Sequence, residues 1–276
     1  MPNLRLIYDN VASSATLTAS TTAGTLATSN MLTDVKSAVH RSTGTSVTYT
    51  MTWAANQTIG GVALPATNLT STATIRVQLY SDTAGTTQIA DSGTVSACPS
   101  SQLGLFGWGS NINANAFAHG GASKAAVWFS TQLSTVRRCV ITLTDTSNPA
   151  GYIDCARLVV GPYWEAAYNP KYGATAGTQD LTNVTRSEAG DQLTVRGPQY
   201  QTMTLDLSLL TEIKRAELAK IIRSIGSFRS VFFSLLPGNG TASAEQDHMI
   251  YGKRSSSPFT FDFLNSFSTK VEIDGW

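Results

Sequence analysis

Residues 45–53, TSVTYTMTW, place Val47, Tyr49, Met51 and Trp53 at every second position, with a hydroxyl-bearing residue beside each. A period of two puts the four large apolar side chains on one face of a strand and the Thr side chains on the other. A helix would scatter the same residues around its circumference, so this stretch predicts a half-buried β-strand. Further short runs follow: residues 59–64 (IGGVAL), 75–80 (IRVQLY), 125–129 (AAVWF), 139–143 (CVITL) and 152–160 (YIDCARLVV). Turn-forming residues separate them, as in the Asp-Thr-Ala-Gly run at 82–85. Six or more short strands with almost no helical pattern between them predict a mainly β fold, a β-sandwich or jelly roll.

Composition agrees with that reading. Charged residues make up 13% of the 276, about half the usual quarter, and Ser and Thr replace them as the polar complement. β-branched, hydroxyl-rich sequence suits exposed sheet faces. The net charge is +1, from 19 basic and 18 acidic residues. No basic stripe is present to neutralise phosphates, which disfavours nucleic-acid recognition. The first ten residues lack the apolar core of a secretory signal, and no apolar run nears the roughly 18 residues that span a bilayer, so membrane insertion is not expected. Cys98, Cys139 and Cys155 lack CxxC spacing, and buried free thiols are expected rather than disulfides or a zinc site.

Charge also divides the chain. Residues 1–160 carry 14 charged side chains and no Glu, whereas residues 161–276 carry 23, including all six Glu. The change falls beside a Gly-, Pro- and Ala-rich stretch, which predicts a linker over residues 163–180 between domains at 1–162 and 181–276. Its aromatics, Tyr163, Trp164, Tyr168 and Tyr172, suggest that it lies against a domain. The later segment should be α+β: strands at residues 192–195, 201–207, 231–236, 248–253, 259–264 and 269–273, plus one helix over 212–225. Leu218, Ile221, Ile222 and Ile225 recur at helical spacing, with Ile213 extending the stripe. Thr211 is the expected N-cap, Glu212 suits the positive helix start, and Gly226 is the expected stop. The segment is expected to form a small barrel with this helix on its side.

No catalytic constellation stands out, and the chain is read as non-enzymatic with no cofactor and no metal. His40, His119 and His248 are isolated, and no GxSxG, P-loop or GxGxxG spacing occurs. Asp91-Ser92 and Asp145-Thr146 read as turn chemistry. Residues 103–121, LGLFGWGSNINANAFAHGG, form a long stretch without periodicity, holding Phe106, Trp108, Asn111, Asn113, Asn115 and His119. Aromatic faces beside amides suit sugar recognition, which makes Phe106, Trp108, Asn111 and His119 candidate ligand contacts. The alternative is that Phe106 and Trp108 plug the end of a sandwich or meet a neighbouring subunit. Phe228, Phe232, Phe233 and Phe259 are candidate interface residues, because strand alternation would turn either Phe232 or Phe233 outward.

Two resemblances add to this. YDNVASSATLTAS, SNMLTD, TYTMTW, IGGVALPATNLTSTATIRVQLYSD and YIDCARLVVGPYW, in that order over residues 1–165, resemble the galactose-binding-like (discoidin-type) jelly roll. That family binds sugars, lipids or proteins through loops at one end of the roll, and no single ligand residue can be carried over. RGPQYQTMTLDLSLLTEIKRAELAKIIRSIGSFRSVFFSLLPG, within residues 180–276, resembles the C-terminal part of bacteriophage distal-tail and baseplate proteins. The second resemblance implies a structural virion protein, made in the bacterial cytoplasm. It would ring the tail tip with other copies of itself and other tail proteins, with the jelly roll projecting outward. The alternative is a carbohydrate- or receptor-binding subunit that contacts a host surface glycan. The cysteine-rich tail of the iron–sulfur tail-tip proteins is missing, so no cluster is implied.

Overall fold

The computed structural model describes residues 3–70, 72–97, 123–170, 174–238, 245–246, 248–256, 259–263 and 266–276. The chain divides into two compact units. The first comprises Met1–Glu165 with Val231–Met249, and the second Ala166–Ser230 with Ile250–Trp276. Among the described residues, no helix is long and apolar enough to cross a membrane.

In the first unit the alternation at Val47, Tyr49, Met51 and Trp53 buries all four side chains to 2% exposure or less. The strand that carries them does not stop at Trp53. It runs from Ser46 to Thr67 and pairs antiparallel with an equally long strand, Ser123–Thr144. Each absorbs two of the expected short runs. Their register is regular from Ser46↔Thr144 to Thr52↔Arg138, slips between Thr52 and Gly61, and is regular again from Gly61↔Phe129 to Pro65↔Ala125. Such irregularities bend and twist a ladder, letting one pair of strands serve both layers of a sandwich. Thr16–Ala19 joins the first half of this ladder, and so does Thr74–Tyr80, which carries Gln88–Asp91 and Val95–Ser96. Val159–Gly161 joins the second half, and Asp154–Cys155 pairs at its end and with His40–Arg41. Side chains from both halves share one core, from Tyr49, Met51 and Ile141 to Val62, Leu64 and Val160. The Trp53 indole, at its edge, donates to the Val11 carbonyl at 2.9 Å.

Three further strands pair, Arg5–Ile7 with Tyr163–Glu165 on one side and Ser230–Ser234 on the other, at one end of an eight-stranded sheet. Tyr163–Glu165 and Thr175–Asp180 are both strands, so the stretch expected as a linker holds regular structure near each end. Phe232 pairs with Ile7 and Phe233 with Leu6, and they are 1% and 4% exposed. The expectation that one of the two faces outward is therefore corrected. Alternation assigns an outward face only to a strand buried on one side, and this strand is buried on both.

The second unit is an antiparallel sheet plus one helix. Ser266–Gly275 pairs with Gln199–Leu210, with the end of Met249–Ser256 and with Phe259–Phe263, while Thr175–Asp180 pairs with the start of Gln199–Leu210. The helix spans Glu212–Ile225 as the pattern predicts: Thr211 Oγ1 accepts from the Lys214 amide, and Gly226 ends it at φ 57°. Leu218, Ile221 and Ile225 are buried, while Ile213 is 70% exposed. Five residues from Leu218 is about 140° around the helix, which takes Ile213 off the buried stripe. The Arg215 guanidinium lies 4.6 Å from the centre of the Phe267 ring, tying the helix to the sheet.

Several glycines have no room for a side chain, Gly161 among them. A Cβ at Gly161 would sit 1.9 Å from the Asp9 carbonyl oxygen, a backbone atom with no rotamer to yield. Gly161→Ala is expected to destabilise the protein by about 1–3 kcal/mol in urea denaturation. Gly44→Ala, with nothing within 4 Å of the added carbon, should stay within about 0.5 kcal/mol. Equal midpoints for the two variants would contradict this packing.

Candidate functional site

Phe106, Trp108, Asn111 and His119 lie outside the described residues, as do Asn113 and Asn115. The residues that flank them are placed. Before the segment, Val95 and Ser96 pair with Ile75 and Thr74, and the Ala97 amide donates to the Ala73 carbonyl at 2.9 Å. After it, Ser123 pairs with Thr67. Both roots therefore sit at one end of the sandwich, against the connection formed by residues 67–73.

That end is held by a buried polar network. Asp145 is fully buried, and its carboxylate accepts from the Thr70 amide and the Thr70 hydroxyl, both at 2.7 Å. It also accepts from the Thr72 hydroxyl at 3.3 Å and the Asn148 amide at 3.2 Å. The Asp145 amide donates to the Thr45 carbonyl at 2.8 Å. Asn148 donates to the Asn68 carbonyl, and Asn68 in turn donates to the Tyr152 carbonyl and accepts from the Asp154 amide. Ser42 closes the set: its amide donates to the Ile153 carbonyl at 3.0 Å, and its hydroxyl accepts from the Ile153 amide at 2.8 Å. Three connections, at residues 42–45, 67–73 and 145–154, are thus tied together through side chains that point inward. A satisfied network of this kind rigidifies loops. The chemistry at Asp145 is turn chemistry, extended to hold a neighbouring loop.

Beside this network lies a half-exposed rim. Arg41 makes a two-pronged ion pair with Asp154, 2.8 Å at each contact, and its guanidinium sits 3.9 Å from the centre of the Tyr152 ring. Behind Arg41, His40 is fully buried, with Nδ1 2.9 Å from the Tyr49 hydroxyl and Nε2 3.2 Å from the Thr22 hydroxyl. Burial lowers the His40 pKa from 6.5, opposed by a hydrogen bond to the Thr21 backbone and by the Asp154 charge. Burial raises the Tyr49 phenol, helped by the Cys155 thiol beside it. Cys139 and Cys155 are buried thiols, while Cys98 lies outside the described residues. Among the described residues, no three His, Cys, Asp or Glu side chains gather as a metal site.

The guanidinium covers one face of the Tyr152 ring and commits Nε and Nη2 to Asp154, so the three side chains form one fixed unit at the rim. Sequence reasoning missed this rim, since Arg41 and Asp154 are 113 positions apart and neither stands in a recognisable spacing. Of the expected interface residues, Phe228 is 67% exposed, Phe232 and Phe233 are buried, and the Phe259 side chain lies outside the described residues.

Two measurements test this site. Asp145→Ala leaves the buried Thr70 amide without its acceptor and removes the anchor shared by Thr70, Thr72 and Asn148, and it should cost about 3 kcal/mol, read as a lower denaturation midpoint. His40 gives a pH dependence. Its pKa is lowered on folding, so the neutral ring contributes fully above about pH 6.5, and that stability is lost as pH falls towards the lowered folded value. Denaturation midpoints should fall between pH 7 and pH 5, and the slope should flatten in His40→Gln; an unchanged slope would show that His40 is not the source.

No protein-family model matches the chain, and no curated protein matches it. Among solved structures, it is similar over 56% of its length to chitosan-binding module 1 from the chitosanase/glucanase of Paenibacillus sp. IK-5, covering 99% of that chain at 15% identity and a TM-score of 0.40. A fucose-binding module of Streptococcus pneumoniae matches 55% of this chain and 94% of its own, at 11% identity and a TM-score of 0.37. A carbohydrate-binding module of AlyQ, solved with 4,5-unsaturated mannuronic acid, matches 55% of this chain and 95% of its own, at 19% identity and a TM-score of 0.34. At TM-scores of this size the likeness carries no inference about this chain, whose sandwich rests on its own strand pairing.

Proposed function

We propose that the chain is a non-enzymatic binding protein whose sandwich end recognises a surface glycan. The observation that carries this is that the residues flanking the segment with Phe106, Trp108, Asn111 and His119 sit at the end fixed by Asp145, Asn148, Asn68 and Ser42. A pre-ordered end loses little freedom on binding, which is how a modest set of contacts reaches useful affinity. In this reading Trp108 and Phe106 supply the apolar plane under a sugar ring, Asn111 and His119 meet its hydroxyls, and Tyr152 with Arg41 extends the surface.

A second reading, a subunit at the tip of a phage tail, is favoured by one observation. The second unit exposes Leu181, Val184, Leu193, Val195, Ile213 and Phe228, an apolar complement that suits a protein built into an assembly. The two readings are compatible: the sandwich would face the cell surface, and the second unit would be its mount.

The first reading is tested by titrating the full chain against chitosan oligosaccharides, oligomannuronate and fucosylated glycans by calorimetry. The parent should bind at least one class, and Trp108→Ala should weaken that binding about tenfold or more, the loss of a stacking contact of roughly 1.4 kcal/mol. Binding that Trp108→Ala leaves intact, or a parent that binds none of a broader panel of bacterial surface glycans, would overturn it.

A further inference from the structure

Three fully buried side chains, His40, Tyr49 and Cys155, stand in a row behind the rim. They belong to three strands, His40–Arg41, Ser46–Thr67 and Asp154–Cys155, and His40 and Cys155 are direct partners in the ladder. His40 Nδ1 is 2.9 Å from the Tyr49 hydroxyl, which is also hydrogen-bonded with the Cys155 thiol. At the other edge of the imidazole, Nε2 is 3.2 Å from the Thr22 hydroxyl, and the Thr21 backbone accepts from the ring. Tyr49 occupies Nδ1, so Nε2 carries the hydrogen of the neutral ring and Nδ1 accepts from the Tyr49 hydroxyl.

A second ring proton changes every donor in the row. In the charged ring both nitrogens donate and neither accepts. Nε2 keeps its partners. Nδ1–H must donate to the Tyr49 oxygen, so the Tyr49 hydrogen leaves Nδ1 and turns to its other partner, the Cys155 sulfur. The Cys155 S–H turns away from Tyr49 in exchange. One proton enters from water and none is lost, and the only new covalent bond is the Nδ1–H.

The surroundings make this step reachable. The Asp154 carboxylate favours the charged ring, while Arg41, which neighbours His40 and pairs with Asp154, opposes it. Tyr49 and Cys155 are the titratable groups that the flanking strands turn to the ring, and burial keeps the Tyr49 phenol neutral. The short helix Thr28–Leu32, which packs on His40–Arg41, carries no titratable side chain.

The last member of the row holds the sandwich end. Cys155 pairs with Thr67, which pairs with Ser123. On either side of it, the Asp154 carbonyl accepts from the Asn68 amide, and the Ala156 amide donates to the Ala66 carbonyl. Ala66 is kept at φ 55° between these contacts. Sulfur is a weak acceptor, so charging His40 leaves Cys155 less well bonded, at the point where its backbone clamps residues 66–68.

We propose that His40, Tyr49 and Cys155 form a buried proton relay through which mild acid is sensed at the Ala66–Asn68 connection and loosens it. The relay goes beyond glycan recognition and is read on the free chain, so either can fail without the other.

Nuclear magnetic resonance of the full, ligand-free chain, titrated from about pH 7.5 to about pH 5, tests it. The His40 ring should titrate with a midpoint below 6.5, and the Thr67 and Ala156 amides should shift with that same midpoint. Tyr49→Phe removes the middle donor; His40 should still titrate, and the Thr67 and Ala156 shifts should be lost. Cys155→Ser offers a better acceptor and should raise the His40 midpoint by about 0.5 unit or more, whereas Cys155→Ala removes the acceptor and should lower it by about as much. The parent titration needs no variant, so a variant that misfolds leaves the test standing. Amides that stay flat while His40 titrates, or a His40 that stays neutral down to acid unfolding, would overturn the relay. So would amide shifts that persist in Tyr49→Phe, or midpoints that move the same way, or not at all, in the two Cys155 variants.

Discussion

The ladder between Ser46–Thr67 and Ser123–Thr144 is the constraint on which the first unit depends. Two separate sheets would have to find each other through side-chain packing alone. Here the layers share backbone: each long strand enters the core in one layer, slips register between the pairs Thr52↔Arg138 and Gly61↔Phe129, and leaves in the other. The short strands are added to this frame, and Gly161 is what lets Val159–Gly161 pair closely under the incoming chain at Asp9. Pairing of residues so far apart in sequence is slow to form, because loop closure is unfavourable before any contact compensates for it. Once formed, it fixes which end of the sandwich every connection occupies.

Much of this was legible in the sequence, for reasons that differ by element. The alternation at Val47–Trp53 and the stripe at Leu218, Ile221 and Ile225 were readable because burial of one face writes a period into the residues. Thr211 and Gly226 were readable because capping is local chemistry. What escaped was continuity and partnership. The runs at residues 45–53 and 59–64 look like two strands, since Gln57 and its neighbours carry no pattern, and a register slip in a ladder leaves no periodic mark. Phe232 and Phe233 misled for the converse reason, because a strand buried on both faces has no alternation to show. The rim of Arg41, Tyr152 and Asp154 was illegible, its members being joined only by the fold.

The buried network around Asp145 places loop geometry under the control of hydrogen bonds rather than apolar packing. Hydrogen bonds are directional, so each side chain in the set has one good arrangement, and the loops inherit that precision. Ala66 shows how firmly the backbone is held there. It adopts φ 55°, a region that favours glycine, while its carbonyl accepts from the Ala156 amide at 3.1 Å. A non-glycine residue keeps such a conformation only when its surroundings over-determine it.

The first unit is not contiguous in the chain: it is completed by Val231–Met249, which arrives after Ala166–Ser230 has been placed in the second unit. During synthesis, the nascent chain exposes Arg5–Ile7 long before the ribosome delivers the strand at Ser230–Ser234 that pairs with it. Until then one edge of that sheet stays open, and a chaperone or a neighbouring nascent chain can reach it. Vectorial folding of the first unit therefore has a built-in pause, set by the time needed to translate most of the second.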